Sequence, residues 1–212
     1  MDSAALLAEI ASEVRACRLC RLCEGRAHAV PGEGNPHARL MFIGEGPGEQ
    51  EDRTGRPFVG PAGQLLDRLL AGIGLSRDEV FIANVVKCRP PGNRTPSDDE
   101  TQACLDWLMA QIAVVQPEII ALLGGTALNR LLDPEARISR VRGRTFHKDG
   151  LLFIPLFHPA AVLRRAEWLP LMEEDFRTLR RMLDGAHPTS QQSVESPPPA
   201  AEPAQPAELT LF

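Results

Sequence analysis

Four short apolar runs limit what this chain can fold into: RLMFIGEG at 39–46, VFIANVVK at 80–87, EIIALLGG at 118–125 and LLFIPLFH at 151–158. Each is rich in β-formers and ends in a polar or glycine-containing stretch, so each reads as a buried strand. Helical patterns separate them. Segment 61–74 opens with Pro61 and closes on Gly74, segment 97–115 begins with Ser97 and Glu100 at capping-box spacing, and 125–132 follows the third run. Segments 4–17 and 170–184 supply outer helices. Strands alternating with helices imply an α/β fold, a parallel sheet covered on both faces, with ligands at the carboxyl ends of its strands. No internal repeat is detectable. From about Gly185 the composition turns to Pro, Ala, Ser, Gln and Glu, which cannot bury a core. The expectation is one folded domain over 1–184 and a disordered tail over 185–212.

That topology brings three segments to one edge: GEGPGEQEDRTGRPFVG (44–60), ANVVKCRPP (83–91) and FHPAAVLRR (157–165). Gly44, Gly46 and Gly48 let backbone approach a ligand, but their spacing is not that of a dinucleotide loop and no Walker lysine follows. Glu45, Glu51, Asp52 and Phe58 share the first loop, with Asn84 and His158 at other strand ends. Taken singly, each has an ordinary structural explanation. Together at the binding edge of one sheet they make a site.

Three of the five cysteines fall within CRLCRLC (17–23), and Cys88 and Cys104 lie far downstream. The amino terminus is an amphipathic, acid-bearing helix rather than a secretory signal, and no run approaches the roughly 18 apolar residues of a membrane span. A reducing cytosol is therefore expected, where clustered cysteines more often bind metal than pair with each other. Spacing alone makes Cys17/Cys20 and Cys20/Cys23 equally good pairs and leaves zinc and iron–sulfur both open. Net charge is −5, yet residues 186–212 carry Glu195, Glu202 and Glu208 and no Lys or Arg, so the body is closer to neutral. Its bases are almost all arginine, clustered in KCRPPGNR (87–94) and RISRVRGRTFHK (137–148), which permits a basic face toward nucleic acid.

The motifs GEGPGEQEDRTGRPFVGPAGQLL, NVVKCRPPGNRTP and FHPAAVLRR, in that order and spacing, resemble the family 4 uracil-DNA glycosylases over residues 10–183. The resemblance implies a three-layer α/β/α sandwich around a central four-stranded, mostly parallel sheet. It also implies a [4Fe–4S] cluster on Cys17, Cys20, Cys88 and Cys104, leaving Cys23 over. The implied activity is hydrolysis of the N-glycosidic bond of uracil in DNA, the first step of base excision repair, by a monofunctional enzyme. The alternative is a non-catalytic or covalently trapping uracil-DNA binder. Against the trap, CRPPGNRTPSDDE has neither the basic insertion nor the histidine such proteins use.

A flipped base would stack on Phe58 and be read by the Asn84 amide, while His158 donates to uracil O2 as charge builds there. Related enzymes carry an aspartate where this chain has Gly46, so Glu45 is the first choice for the carboxylate that orients water. Glu51 would line the pocket beside uracil C5. Val162 or Leu163 would fill the vacated stack, with Arg164 and Arg165 on phosphates. Lys87, Arg89 and Arg94 would lie where DNA passes, and Arg142 and Arg144 belong to the second basic cluster. The tail ends in ELTLF, which resembles the Gln-Leu-x-Leu-Phe peptide of sliding-clamp ligands, with Glu208 in place of glutamine and Leu209, Leu211 and Phe212 as anchors. A monomer in the cytoplasm, at the nucleoid, is expected.

Overall fold

In chain order the strands are β1 (Glu33–Gly34), β2 (Leu40–Gly44), β3 (Phe81–Asn84), β4 (Ile119–Leu123), β5 (Thr145–Lys148), β6 (Leu151–Leu156) and β7 (Gln191–Ser193). The computed structural model describes residues 2–185 and the backbone of 191–193. The strands form one sheet in the order β1-β3-β2-β4-β6-β5-β7. Its centre, β3-β2-β4-β6, is the four apolar runs, all parallel. The sheet is wider than the four strands expected. β1 pairs antiparallel with β3, β5 antiparallel with β6, and β7 parallel with β5. β1 and β5 carry no apolar run, since β1 has only two residues and three of the four in β5, Thr-Phe-His-Lys, are polar. A hairpin signal was present. Asp149-Gly150, both in left-handed conformation (φ 51° and 77°), is the two-residue turn that joins β5 to β6.

The helices are α1 (Ser3–Ala16), α2 (Leu22–Gly25), α3 (Glu49–Thr54), α4 (Pro61–Gly72), α5 (Asp98–Val115), α6 (Gly125–Leu131), α7 (Ile138–Val141), α8 (Pro159–Arg164) and α9 (Leu169–Leu183). All five residues of β2 are buried, as a strand covered on both faces requires. Side chains alternate between faces. Met41 and Ile43 join Phe81, Ile120, Leu122, Leu108 and Ile112 in one core, beneath α1 and α5. Leu40 and Phe42 join Ile82, Ile154, Leu66, Leu70 and Phe176 in the other, beneath α4 and α9. The result is a three-layer sandwich. Ser97 caps α5 as its spacing suggests, its amide donating to Glu100 at 2.9 Å.

From β2 the chain crosses outward to β3, then returns past β2 to β4 on the other side. The strand order therefore reverses between β2 and β4, and a crevice opens beyond their carboxyl ends. No helix among the described residues is long and apolar enough to cross a membrane. Most of the expected disordered tail, with Leu209, Leu211 and Phe212, lies outside the described residues.

Candidate active site

Above that crevice sits a cavity of ≈ 430 Å³ whose lining includes Glu45, Gly46, Glu51, Phe58, Asn84, Thr126, His158 and Arg164. The register explains the convergence. Gly44 pairs with Asn84 across β2 and β3, so the residues just beyond these strands project to one edge. Glycine at position 44 is a steric necessity: a Cβ there would stand 2.5 Å from Asn84 Oδ1 and 2.6 Å from Phe58 Cζ. At Gly46 a Cβ would stand 2.7 Å from Val86 Cγ2, so an aspartate there would have to displace the Val86 methyl. Of the two carboxylates of that loop in the cavity lining, Glu45 and Glu51, the first accepts a hydrogen bond from Thr126 Oγ1.

Asn84 is buried, and its Oδ1 has no hydrogen-bond partner among the described residues. Such an atom costs about 1–3 kcal/mol unless a ligand meets it. His158 caps α8: its Nδ1 accepts from the Ala160 amide at 3.1 Å. The ring proton therefore sits on Nε2, free to donate. Burial, helped by the Arg164 charge, pushes the His158 pKa down to about 4, so at neutral pH the group is an uncharged donor. Its ring lies over Phe58 with centroids 5.6 Å apart.

Phe58 is buried, and its φ of 50° is left-handed, rare for an aromatic residue. Two side chains hold it there. Arg77 donates to Phe58 O at 3.0 Å and to Pro57 O, and is itself gripped by Glu33 at 2.7 Å and Asp67 at 3.0 Å. Glu51 accepts the amides of Val59 at 2.8 Å, Gly60 at 2.7 Å and Gly48 at 3.1 Å. Its carboxylate thus braces the loop from the cavity wall.

The residues expected to meet DNA divide. Leu163, Arg164 and Arg165 are exposed on α8 and just beyond it, whereas Val162 is core, leaving Leu163 as the one side chain of the pair able to enter a stack. Arg165 stacks over Trp168 at 4.7 Å. Arg89 bonds Asn93 at 2.7 Å, and Arg94 and Arg21 share the fully buried Glu100. Arg144 is exposed, but Arg142 is bound by both oxygens of Asp175, at 2.7 and 2.8 Å. Lys87 is a correction. Expected along the DNA path, it is 1% exposed, and its Nζ donates to Asn84 O at 3.0 Å and to Gln111 Oε1 at 2.6 Å. It lies three residues past the end of β3, and its bond to Gln111 of α5 places it in the layer under that helix.

On that side all five cysteines line one small cavity with Arg26, Lys87 and Trp107. Three sulfurs accept hydrogen bonds: Cys104 from the Lys87 amide at 3.2 Å, Cys88 from Arg26 at 3.0 Å and Cys17 from Trp107 at 3.4 Å. Such donors suit thiolates that carry a metal group. Desolvation raises the thiol pKa of Cys88 and takes that of Cys104 to about 11; Arg26 and Lys87 respectively oppose it. Among the described residues no three Cys, His, Asp or Glu side chains gather closely enough to hold one metal ion.

Sequence reasoning missed the contribution of β4. Thr126 and the glycines before it close the cavity, and Gly-Gly-Thr directly after the third apolar run was the available signal. Arg77 and Arg26 had no local signature, since each acts across more than fifteen residues of chain.

Residues 31–183 match the model of the uracil DNA glycosylase superfamily. The type-4 uracil-DNA glycosylase of Sulfurisphaera tokodaii is 44% identical over 191 residues, 86% of each chain. That of Thermotoga maritima is 50% identical over 161 residues, 74% of this chain and 84% of its own. A DNA polymerase of Bacillus phage SP01 is 34% identical over 160 residues, which are 75% of this chain but 17% of the polymerase. With the fold, the strand-end cavity and these likenesses in agreement, the chain belongs to the type-4 uracil-DNA glycosylases.

Proposed function

We infer that this chain hydrolyses the N-glycosidic bond of uracil in DNA and leaves an abasic site, with the strand-end cavity as the uracil pocket. The observation that carries this is the buried, unpartnered Oδ1 of Asn84, an acceptor held ready in a cavity with an aromatic face and a neutral imidazole donor. A flipped uracil offers N3–H to that oxygen and O4 to the amide nitrogen, whereas cytosine presents the reverse pattern. Phe58 stacks on the base. His158 Nε2–H donates to O2, where negative charge grows as the C1′–N1 bond lengthens. Glu45 orients water toward C1′. No lysine lines the cavity to form a Schiff base, which supports hydrolysis without strand cleavage. Glu51 braces the loop and, at the wall, would exclude the thymine methyl. Leu163 would fill the vacated stack, and Arg89, Arg94, Arg144, Arg164 and Arg165 would face phosphates.

Cys17, Cys20, Cys88 and Cys104 would hold a [4Fe–4S] cluster, whose part is to tie the amino-terminal helix to the loop after β3. The N–H donors on the sulfurs support a thiolate-bound group, and a multi-atom cluster spans a wider set of thiolates than one zinc ion. The protein would act as a monomer on DNA at the nucleoid. The ELTLF terminus would tether it to a sliding clamp, so deletion of 207–212 should abolish clamp binding and leave excision on a free oligonucleotide unchanged. The direct test of function is abasic-site formation on a uracil-containing oligonucleotide, with a thymine duplex as control. No product with protein at substrate concentration would overturn the enzyme.

A further inference from the structure

We propose that Thr126 is a positioning residue for the hydrolytic step, its hydroxyl pinning one oxygen of Glu45 so that the other faces the attacking water. The inference rests on the reading of Glu45 above. Glu45 follows β2 and Thr126 follows β4, the two adjacent strands between which the chain order reverses. Thr126 Oγ1 donates to Glu45 Oε2, and among the described residues no other hydrogen bond reaches that carboxylate. Oε1 is left as an acceptor. The Glu45 backbone is fixed independently, its carbonyl accepting the Val86 amide at 3.1 Å. A glutamate must lock more rotors than the aspartate it replaces, and one hydroxyl bond to a carboxylate oxygen supplies much of that restraint.

In the reaction the C1′–N1 electron pair leaves with uracil toward His158. Water oxygen bonds C1′, and the proton it sheds passes to Glu45 Oε1. The other titratable groups lining the cavity are Glu51, Arg94, His158 and Arg164, and none of them bonds Glu45.

The test uses single-turnover excision by the intact protein. Thr126→Val should slow the chemical step by roughly tenfold or more, the usual worth of a hydrogen bond to a charged group. Half-saturating enzyme concentration should stay unchanged. Thr126→Ser should restore the rate, and Thr126→Ala should not. Equal rates in the Ser and Ala variants would overturn the proposal even if Thr126→Val folded poorly. So would a wild-type rate in Thr126→Val while Glu45→Gln is slow. A wild-type rate in Glu45→Gln would instead remove the role of Glu45 itself, a separate failure.

Discussion

The two cavities lie on either side of one short segment, Asn84 to Cys88, and treat their polar atoms in opposite ways. In the strand-end cavity, capacity is left open. Among the described residues Asn84 Oδ1 has no partner, His158 keeps its Nε2 proton unclaimed, and one oxygen of Glu45 is uncommitted. In the cysteine cavity, three of the five sulfurs, those of Cys17, Cys88 and Cys104, already accept an N–H. Open polar groups cost stability and persist where a substrate will satisfy them. Partnered ones build a scaffold. Lys87 joins the two, with its side chain on the Asn84 carbonyl and its amide on Cys104. It is a buried cation with no carboxylate bonded to it among the described residues, and desolvation brings its pKa down to about 8.

If the division holds, damage to the scaffold should be global and damage to the open cavity local. The largest effect is expected from Cys88→Ser or Cys104→Ser. Iron should be lost and the melting temperature should fall by roughly 10 °C or more, the scale of several kcal/mol in a domain this size. Cys17→Ser and Cys20→Ser should behave likewise, while Cys23→Ser keeps its iron. Full iron in Cys20→Ser with loss in Cys23→Ser would reverse the ligand assignment.

His158→Ala should leave the fold intact and slow single-turnover excision by roughly 10²–10³-fold, the usual loss of one preplaced donor. A rate within tenfold of the parent would mean the open Nε2–H is not used.

Arg77→Ala sits between the two kinds of damage. Without its donors the left-handed backbone of Phe58, a strain of about 1–3 kcal/mol, has one brace fewer, so kcat/KM should fall roughly tenfold. Iron content should not change. Unaltered kcat/KM would show that Glu51 alone suffices.

The smallest effect is on pH. Because burial holds the folded His158 pKa near 4, below that of the unfolded chain, the unfolded state binds more protons between the two values. This residue's contribution to stability is therefore full above about 6.5 and lost as pH falls toward 4. Excision should not decline through His158 protonation until pH approaches 4. An inflection near 6.5 that vanishes in His158→Asn would contradict the neutral donor.

Periodicity and local chemistry were enough to locate the parallel centre of the sheet, the capped helix α5 and the three loops that carry Glu45, Asn84 and His158. These depend on side-chain alternation and on the carboxyl-end rule, both readable along the chain. Tertiary structure decided the rest. Whether a basic residue faces DNA depends on what stands opposite it: Lys87 turns inward onto Gln111 and Arg142 meets Asp175, while Arg164, with no ion pair among the described residues, stays at the cavity. Which glutamate is free is settled in the same way. Glu51 is consumed by three amides of its own loop, and Glu45 is met, among the described residues, only by a hydroxyl from the far side of the crevice, 81 residues along the chain. A sequence specifies the groups that can form hydrogen bonds, but only the packed fold determines which of them have already done so.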